Sequence, residues 1–376
     1  MNNKELFYFI GKCLALDDHP EISAEIADEL ENEDLNWHLF TEICSNQLVI
    51  PAIYLKLERH NIIKYLPNEV QSHLLEIYKL NFSRNTKILK QIQTITKLLN
   101  KHVIYPIFLK GAANLLDEVY SDTGERMMGD IDFLVEEEYY LLTAKILEDN
   151  GYSKINKIPD YKNMNDIKQA KHYPRLAHPD FEAVIEIHRI PVREKYIDWF
   201  NYELIIKEKK TVKNITNCYV PSDHHKIIHN FIHSQLSDKG YLYGTIALRD
   251  VYDLYLLSKR FPLIKTVSMI KTKRKASAYF TIAGLILGLD KTFYPYKNFS
   301  FKILLKIHSA NLSSSVFFYV YRFVIYMGEL LFLVYIGQII KAIYSHQKRQ
   351  YLFLRLSNKK WYGEHVKFYF GFFKKD

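Results

Sequence analysis

Apolar residues recur at helical spacing through the first hundred positions. Leu6, Ile10, Cys13 and Leu14 mark one such face, and periodic runs follow over 40–57 and 70–99, with breaks near Pro51 and Pro67. The strongest stripe lies in 81–102, at Ile88, Leu89, Ile92, Ile95, Leu98 and Leu99. At Val103 the period changes. Residues 103–109 read as a strand, Lys110-Gly111 as a turn, about 112–119 as a helix and, after a polar loop, 129–135 as a second strand. A helix over 136–150 is stopped by Asn150-Gly151. Residues 152–158, 171–177 and 183–190 are the next strand candidates, the last two joined by a turn at His178-Pro179-Asp180. From Pro221 the chain reads as helical again. Ser222 or Asp223 caps a helix to about Leu236, a second covers about 246–259, and others run to Leu287.

Helices, then strands, then helices predict an α+β fold: a mixed sheet at 102–220 between a helical N-terminal region (1–101) and a helical region at 221–312. Residues 313–376 are apolar, then aromatic and basic. The run 315–340 is interrupted by Arg322 and Glu329. A spanning helix needs about 20 mostly apolar residues, and a charge near its middle costs about 2.5–3.5 kcal/mol. A buried core helix or an interfacial helix is therefore expected rather than a span. In the tail, Lys359-Lys360-Trp361-Tyr362 and Phe372-Phe373-Lys374-Lys375 suit a membrane interface. A packing helix with a solvated end is the plainer alternative.

Composition sharpens this only a little. The 376 residues are 48% hydrophobic and 25% charged, which argues against global disorder. The net charge of +9 favours anionic partners such as nucleotides, nucleic acid or an acidic membrane. Cys13, Cys44 and Cys218 are scattered, without disulfide or zinc spacing, and no secretory signal is seen at the N-terminus. A cytoplasmic protein is expected, with peripheral membrane contact through its C-terminus as the alternative to the packing helix and solvated end.

The chemistry centres on Gly129-Asp130-Ile131-Asp132. Residues two apart on a strand share a face, so both carboxylates project together from an apolar run. Two buried like charges need compensation. A hard divalent cation, Mg2+ or Mn2+, supplies it through oxygen ligands. Glu186, on the strand candidate at 183–190, is the third acid, and His188 shares its face. Acid and apolar residues also alternate on plain surface strands, and His188 equally suits a satisfied core position. Gly111 sits where strand passes to helix, where backbone N–H groups can approach an anion and Lys110 adds a charge; a plain β-α turn needs the same glycine. Arg126 either reaches a triphosphate or pairs with Asp122 or Glu125.

The sequence Phe108-Leu109-Lys110-Gly111-Ala112-Ala113, then Tyr120, Arg126, Gly129-Asp130-Ile131-Asp132-Phe133-Leu134-Val135, Asn150-Gly151-Tyr152 and Glu186-Ile187-His188 resembles the nucleotidyltransferase superfamily that includes DNA polymerase β. More closely, it resembles the bacterial proteins named uncharacterised nucleotidyltransferases, over about 100–260. The resemblance implies metal binding by Asp130, Asp132 and Glu186 and triphosphate contact at Gly111 and Ala112. Ala112 stands where Gly or Ser is usual, and Glu186 where Asp is usual.

His225, His229 and His233 fall on one helical face, followed by Arg249, Asp250 and Asp253. His188, His229, His233 and Asp250 are expected to line a substrate cleft. A zinc site at His229 and His233 lacks the Glu of His-Glu-x-x-His, and structural packing of these histidines is the third reading.

The function expected is Mg2+-dependent transfer of a nucleoside monophosphate from an NTP to a hydroxyl, with the triphosphate held by Lys110, Gly111, Ala112 and Arg126. Glu186 completes the site and helps deprotonate the acceptor. A small molecule or sugar, a protein and an RNA end are all candidate acceptors; no nucleic-acid-binding module is recognisable. The alternative is a non-catalytic, membrane-associated scaffold that keeps the fold, in a polysaccharide-synthesis assembly. A phosphohydrolase built on the histidine helix lacks supporting acidic motifs.

Overall fold

The computed structural model describes residues 1–18, 20–31, 35–155, 164–289, 293–294, 298–358 and 360. It divides into two compact units, Met1–Ser313 and Ser314–Asp376.

The first unit opens with α1 (Asn3–Leu14), α2 (Ser23–Glu31), α3 (Trp37–Asn46), α4 (Ile50–Arg59) and the long α5 (Asn68–Asn100). Asn2 closes a capping box on α1 with Glu5, and Pro51 sits in the first turn of α4, where a missing N–H costs nothing. The stripe at 88–99 buries Ile88, Ile92, Ile95 and Leu99. The same helix also buries Asn81, Asn85 and Gln91. Their amides are spent on backbone: Asn81 and Asn85 donate to the Arg126 carbonyl at 3.0 and 2.8 Å, and Gln91 exchanges two bonds with Ala183. Arg84 donates to the carbonyls of Met128 and Gly129. A polar edge of α5 thereby fixes the loop before Asp130 and the start of the strand bearing Glu186.

Next come β1 (Ile107–Phe108), α6 (Lys110–Leu116), β2 (Asp130–Leu134), α7 (Tyr140–Asp149), β3 (Ser153–Lys154), α8 (Met164–Gln169), β4 (Leu176–Ala177), β5 (Val184–His188), α9 (Tyr202–Lys207), β6 (Lys210–Thr211) and β7 (Tyr219–Val220). The strands form one mixed sheet in the order β3-β4-β5-β2-β1-β7-β6. The α+β expectation holds; several strands are shorter than their sequence patterns. The first begins only after Pro106, because Val103 turns left-handed (φ 60°) in closing the end of α5. The 171–177 candidate pairs only at its end, plus a bridge from His172 to His188. Of the 152–158 candidate, Ser153–Lys154 is strand, and 156–158 lie outside the described residues. The polar-rich pair β6 and β7 has no signal in the hydrophobic pattern.

The helical return contains α10 (Asp223–Phe231), a π-helical turn (Ile232–Ser237), α11 (Gly240–Tyr243), α12 (Leu248–Ser258), α13 (Leu263–Met269), α14 (Lys273–Ile286) and α15 (Phe299–Ser313). Phe231, Leu248, Val251, Leu254, Tyr279 and Phe280 join the core.

The second unit holds α16 (Ser315–Glu329), a π-helical turn (Leu330–Ile336), α17 (Gly337–Tyr344) and α18 (His346–Leu356). Ser315–Phe332 is long and apolar enough to cross a membrane, yet only 6% of it is buried inside the protein. Of the two expectations for this run, the core helix does not fit: Val316, Tyr319, Val320, Phe323, Val324, Leu331 and Phe332 are exposed, and Leu330 is buried. Trp361, Tyr362 and the segment 372–375 lie outside the described residues.

Candidate active site

Strand alternation builds the site. In β2 and β5, Ile131, Phe133, Ile185 and Ile187 are fully buried on one face. Asp130, Asp132, Glu186 and His188 therefore share the other. The two strands run parallel with Asp132 opposite Glu186 and Asp130 opposite Val184. Two acids 54 positions apart in the chain thus become lateral neighbours.

Their charges are heavily compensated. Asp132 Oδ1 accepts from Lys110 Nζ at 2.6 Å and from His188 Nε2 at 2.7 Å. Glu186 Oε1 accepts from Arg175 Nε at 2.6 Å, and Arg175 Nη2 lies 3.5 Å from Asp130 Oδ2. Burial opposes ionisation of Asp132, but Lys110 and His188 hold its carboxyl well below the ordinary range. Burial likewise opposes ionisation of Glu186, yet the His188 bond and the Lys110 charge hold it at about 2. Asp130 moves the other way: burial and the neighbouring Asp132 raise it. Asp132, Glu186 and His188 offer donor atoms within 4.8 Å of one another. Carboxylate-rich donors with Asp130 on the same face fit a hard divalent ion, which would share Asp132 with the Lys110 ammonium.

Above this floor opens a cleft of about 610 Å³. Lys110, Arg126, Lys171, Arg175, Arg193 and Arg249 line it together with Asp130, Asp132, Glu186 and Asp238. Cations ringing a patch of acids are what a metal-bound polyphosphate needs. Lys171, Arg175, Arg193 and Asp238 carried no sequence signal as site residues, and Arg249 was noted only beside Asp250 and Asp253. They are scattered over 78 positions and converge only through the fold.

The predicted phosphate turn is more mixed. Lys110 (φ 50°) and Gly111 line the cleft, whereas Ala112 is buried and is absent from its wall. Gly111 has a packing reason of its own: a Cβ there would lie 2.2 Å from Arg126 Nη1. Arg126 pairs with neither Asp122 nor Glu125. Its Nε and Nη2 hold both oxygens of Asp253 at 2.8–3.0 Å, and Tyr120 donates to the same carboxylate at 2.5 Å. Glu125 instead accepts from Ser121 and Tyr252.

The histidine face is divided. His233 lines both the cleft and an adjoining cavity of about 60 Å³, while His229 and Asp250 line only that cavity, with Lys110, Arg126 and Arg249. Burial, with Lys110 and Lys171 nearby, lowers His233 to about 3. Burial and His233 push His229 well down, and burial raises Asp250. Both histidines are neutral at physiological pH. His225 lines neither space; its ring lies 4.2 Å from His224 and 5.8 Å from Phe200.

An Asp-x-Asp strand beside a parallel strand with a third acid, in a mixed sheet flanked by helices, defines a nucleotidyltransferase fold. The chain belongs to the uncharacterised nucleotidyltransferase family, whose model matches residues 33–283. Its general chemistry is transfer of a nucleoside monophosphate from an NTP. A search of curated proteins finds no match.

Proposed function

We propose that the protein transfers a nucleoside monophosphate from an NTP to a hydroxyl acceptor in a reaction that uses Mg2+ or Mn2+. The observation that carries this reading is the β2–β5 register, which sets Asp132 against Glu186 beneath six lining cations. Asp130, Asp132 and Glu186, with His188 beside them, would hold the ion. When bound, it offsets triphosphate charge and makes the acceptor hydroxyl more acidic. Lys171, Arg175, Arg193 and Arg249 donate to phosphate oxygens along the wall. Glu186, paired with Arg175 and held at about 2, is a poor base.

The test is incubation of the purified protein with each labelled NTP, Mg2+ or Mn2+, and cell extract. Label transfer is expected, and is lost in Asp130→Ala and Asp132→Ala. If no NTP binds with either metal, the enzyme reading fails and the scaffold reading takes its place. A pH dependence is also expected. Burial and Lys110 lower Lys171 to about 8, so NTP affinity should fall as pH rises through 8 and Lys171 loses its charge. A fluorescence titration from pH 7 to 9.5 checks this, and Lys171→Arg should flatten the fall.

We also propose that the protein works in the cytoplasm against a membrane surface, through its second unit. Val316, Val320, Phe323 and Val324 are exposed at i, i+4, i+7 and i+8, one stripe of α16. Lys341, Lys348 and Arg349 follow on α17 and α18. The full chain should sediment with vesicles containing phosphatidylserine and be released by carbonate. Val320→Asp with Val324→Asp should abolish sedimentation. A wild-type protein that stays in the supernatant refutes the idea.

A further inference from the structure

We propose that Glu208, His224 and His225 form a second metal site, for an ion of the Zn2+ class, distinct from the acids of the cleft. Glu208 directly follows α9, and the two histidines lie in the first turn of α10. One donor atom from each lies within 4.8 Å of the other two. Glu208 Oε2 is 3.2 Å from His224 Nε2, and the two imidazole rings are 4.2 Å apart between centroids.

His225 is 5% exposed, and its Nδ1 is buried with no hydrogen-bond partner among the described residues. A buried ring nitrogen without a partner is costly, and a metal ion satisfies a bare imidazole lone pair. Two imidazoles and one carboxylate suit Zn2+, with water completing a tetrahedron; Mg2+ prefers oxygen donors alone. The cleft group offers one imidazole, His188, against two here, so this site favours Zn2+ the more strongly. Neighbouring groups hold the rings. Phe261 lies 5.0 Å from His224, Phe200 lies 5.8 Å from His225, and Ser222 Oγ is 3.3 Å from His224 Nδ1. The helix N-terminus opposes a cation through its partial positive charge. The Glu208 carboxylate offsets that.

The site is also placed to matter. Phe200 touches His229 as well, at 5.7 Å, and His229 lines the cavity beside the cleft. An ion at the start of α10 would brace the helix that carries His229 toward the catalytic floor.

The experiment strips the full-length protein with a chelator and titrates Zn2+ against a chromophoric indicator. The double variant Glu208→Gln/His224→Gln should bind one equivalent fewer than wild type. Glu208→Gln alone, at a surface position, should weaken that equivalent by more than the roughly ten-fold that loss of an outer-shell partner costs, with an unchanged circular-dichroism spectrum. Asp132→Asn should keep it, which separates it from the cleft. Co2+ should give the visible bands of a tetrahedral ion, lost in the double variant. Equal Zn2+ stoichiometry and affinity in wild type and the double variant would overturn the proposal, as would loss of all tight Zn2+ binding in a folded Asp132→Asn protein.

Discussion

Asp130→Ala and Asp132→Ala should both lower transfer by more than ~10²-fold, but they should part company in stability. Asp132 is buried and accepts from Lys110 and His188. Removing it strands both donors, and losing one partner of a buried pair costs ~3–5 kcal/mol. Asp130 carries a carboxyl that burial and Asp132 disfavour, so its removal relieves repulsion and leaves the protein equally stable or more so. Urea denaturation at pH 7 measures both. Acid has a defined sign here. Asp132 and Glu186 are held below their ordinary values. Their contribution is fully present above the ordinary carboxyl range near 4–4.5. It is lost as pH falls below that range, toward about 2 for Glu186. Asp132→Ala should therefore be less acid-sensitive than wild type. Equal destabilisation by the two substitutions would mean that Lys110 does not sit on Asp132 in solution.

Asp253→Ala should be among the most damaging changes outside the acids. Its carboxylate holds Arg126 through two nitrogens and takes the Tyr120 hydroxyl. Without it, the guanidinium is left buried against Gly111, where there is no room to move inward. The expected loss is ~3–5 kcal/mol, or roughly 5–8 °C in melting temperature. The double variant Arg126→Met/Asp253→Leu should recover most of that stability, because apolar groups of similar size remove the unpaired charge along with the pair. NTP affinity separates two roles for Arg126. If the double variant is stable and binds NTP normally, Arg126 only positions Gly111. If it is stable but binds weakly, the arginine also reaches the phosphates from the cleft wall.

The acidic floor of the cleft was legible because its signal is local. Asp130, Asp132 and Glu186 stand out as acids in apolar strands, and the period-2 rule puts them on a face without any knowledge of the rest of the chain. The polar work of α5 was not legible. Asn81, Asn85 and Gln91 give no signal in the hydrophobic pattern, and only the packed loop shows that they satisfy buried backbone groups. The short strands β6 and β7 were missed for a related reason: two residues are too few to display a period. The sequence left 315–340 open between a core and an interfacial helix because hydrophobicity reports a preference for leaving water, and does not name the surface that receives it.

By itself, the sequence determined the strand–turn–helix–strand order, the two carboxylates on one face, and the class of chemistry they support. Those properties depend on residues a few positions apart. The tertiary structure alone decided which charge meets which: Lys110 on Asp132, Arg175 on Glu186, and Arg126 on Asp253 across 127 positions. It also gathered Lys171, Arg193 and Arg249 around the acids. Charge pairing acts through space and falls off within a few ångströms, so it follows the packing of the helices and has no period along the chain.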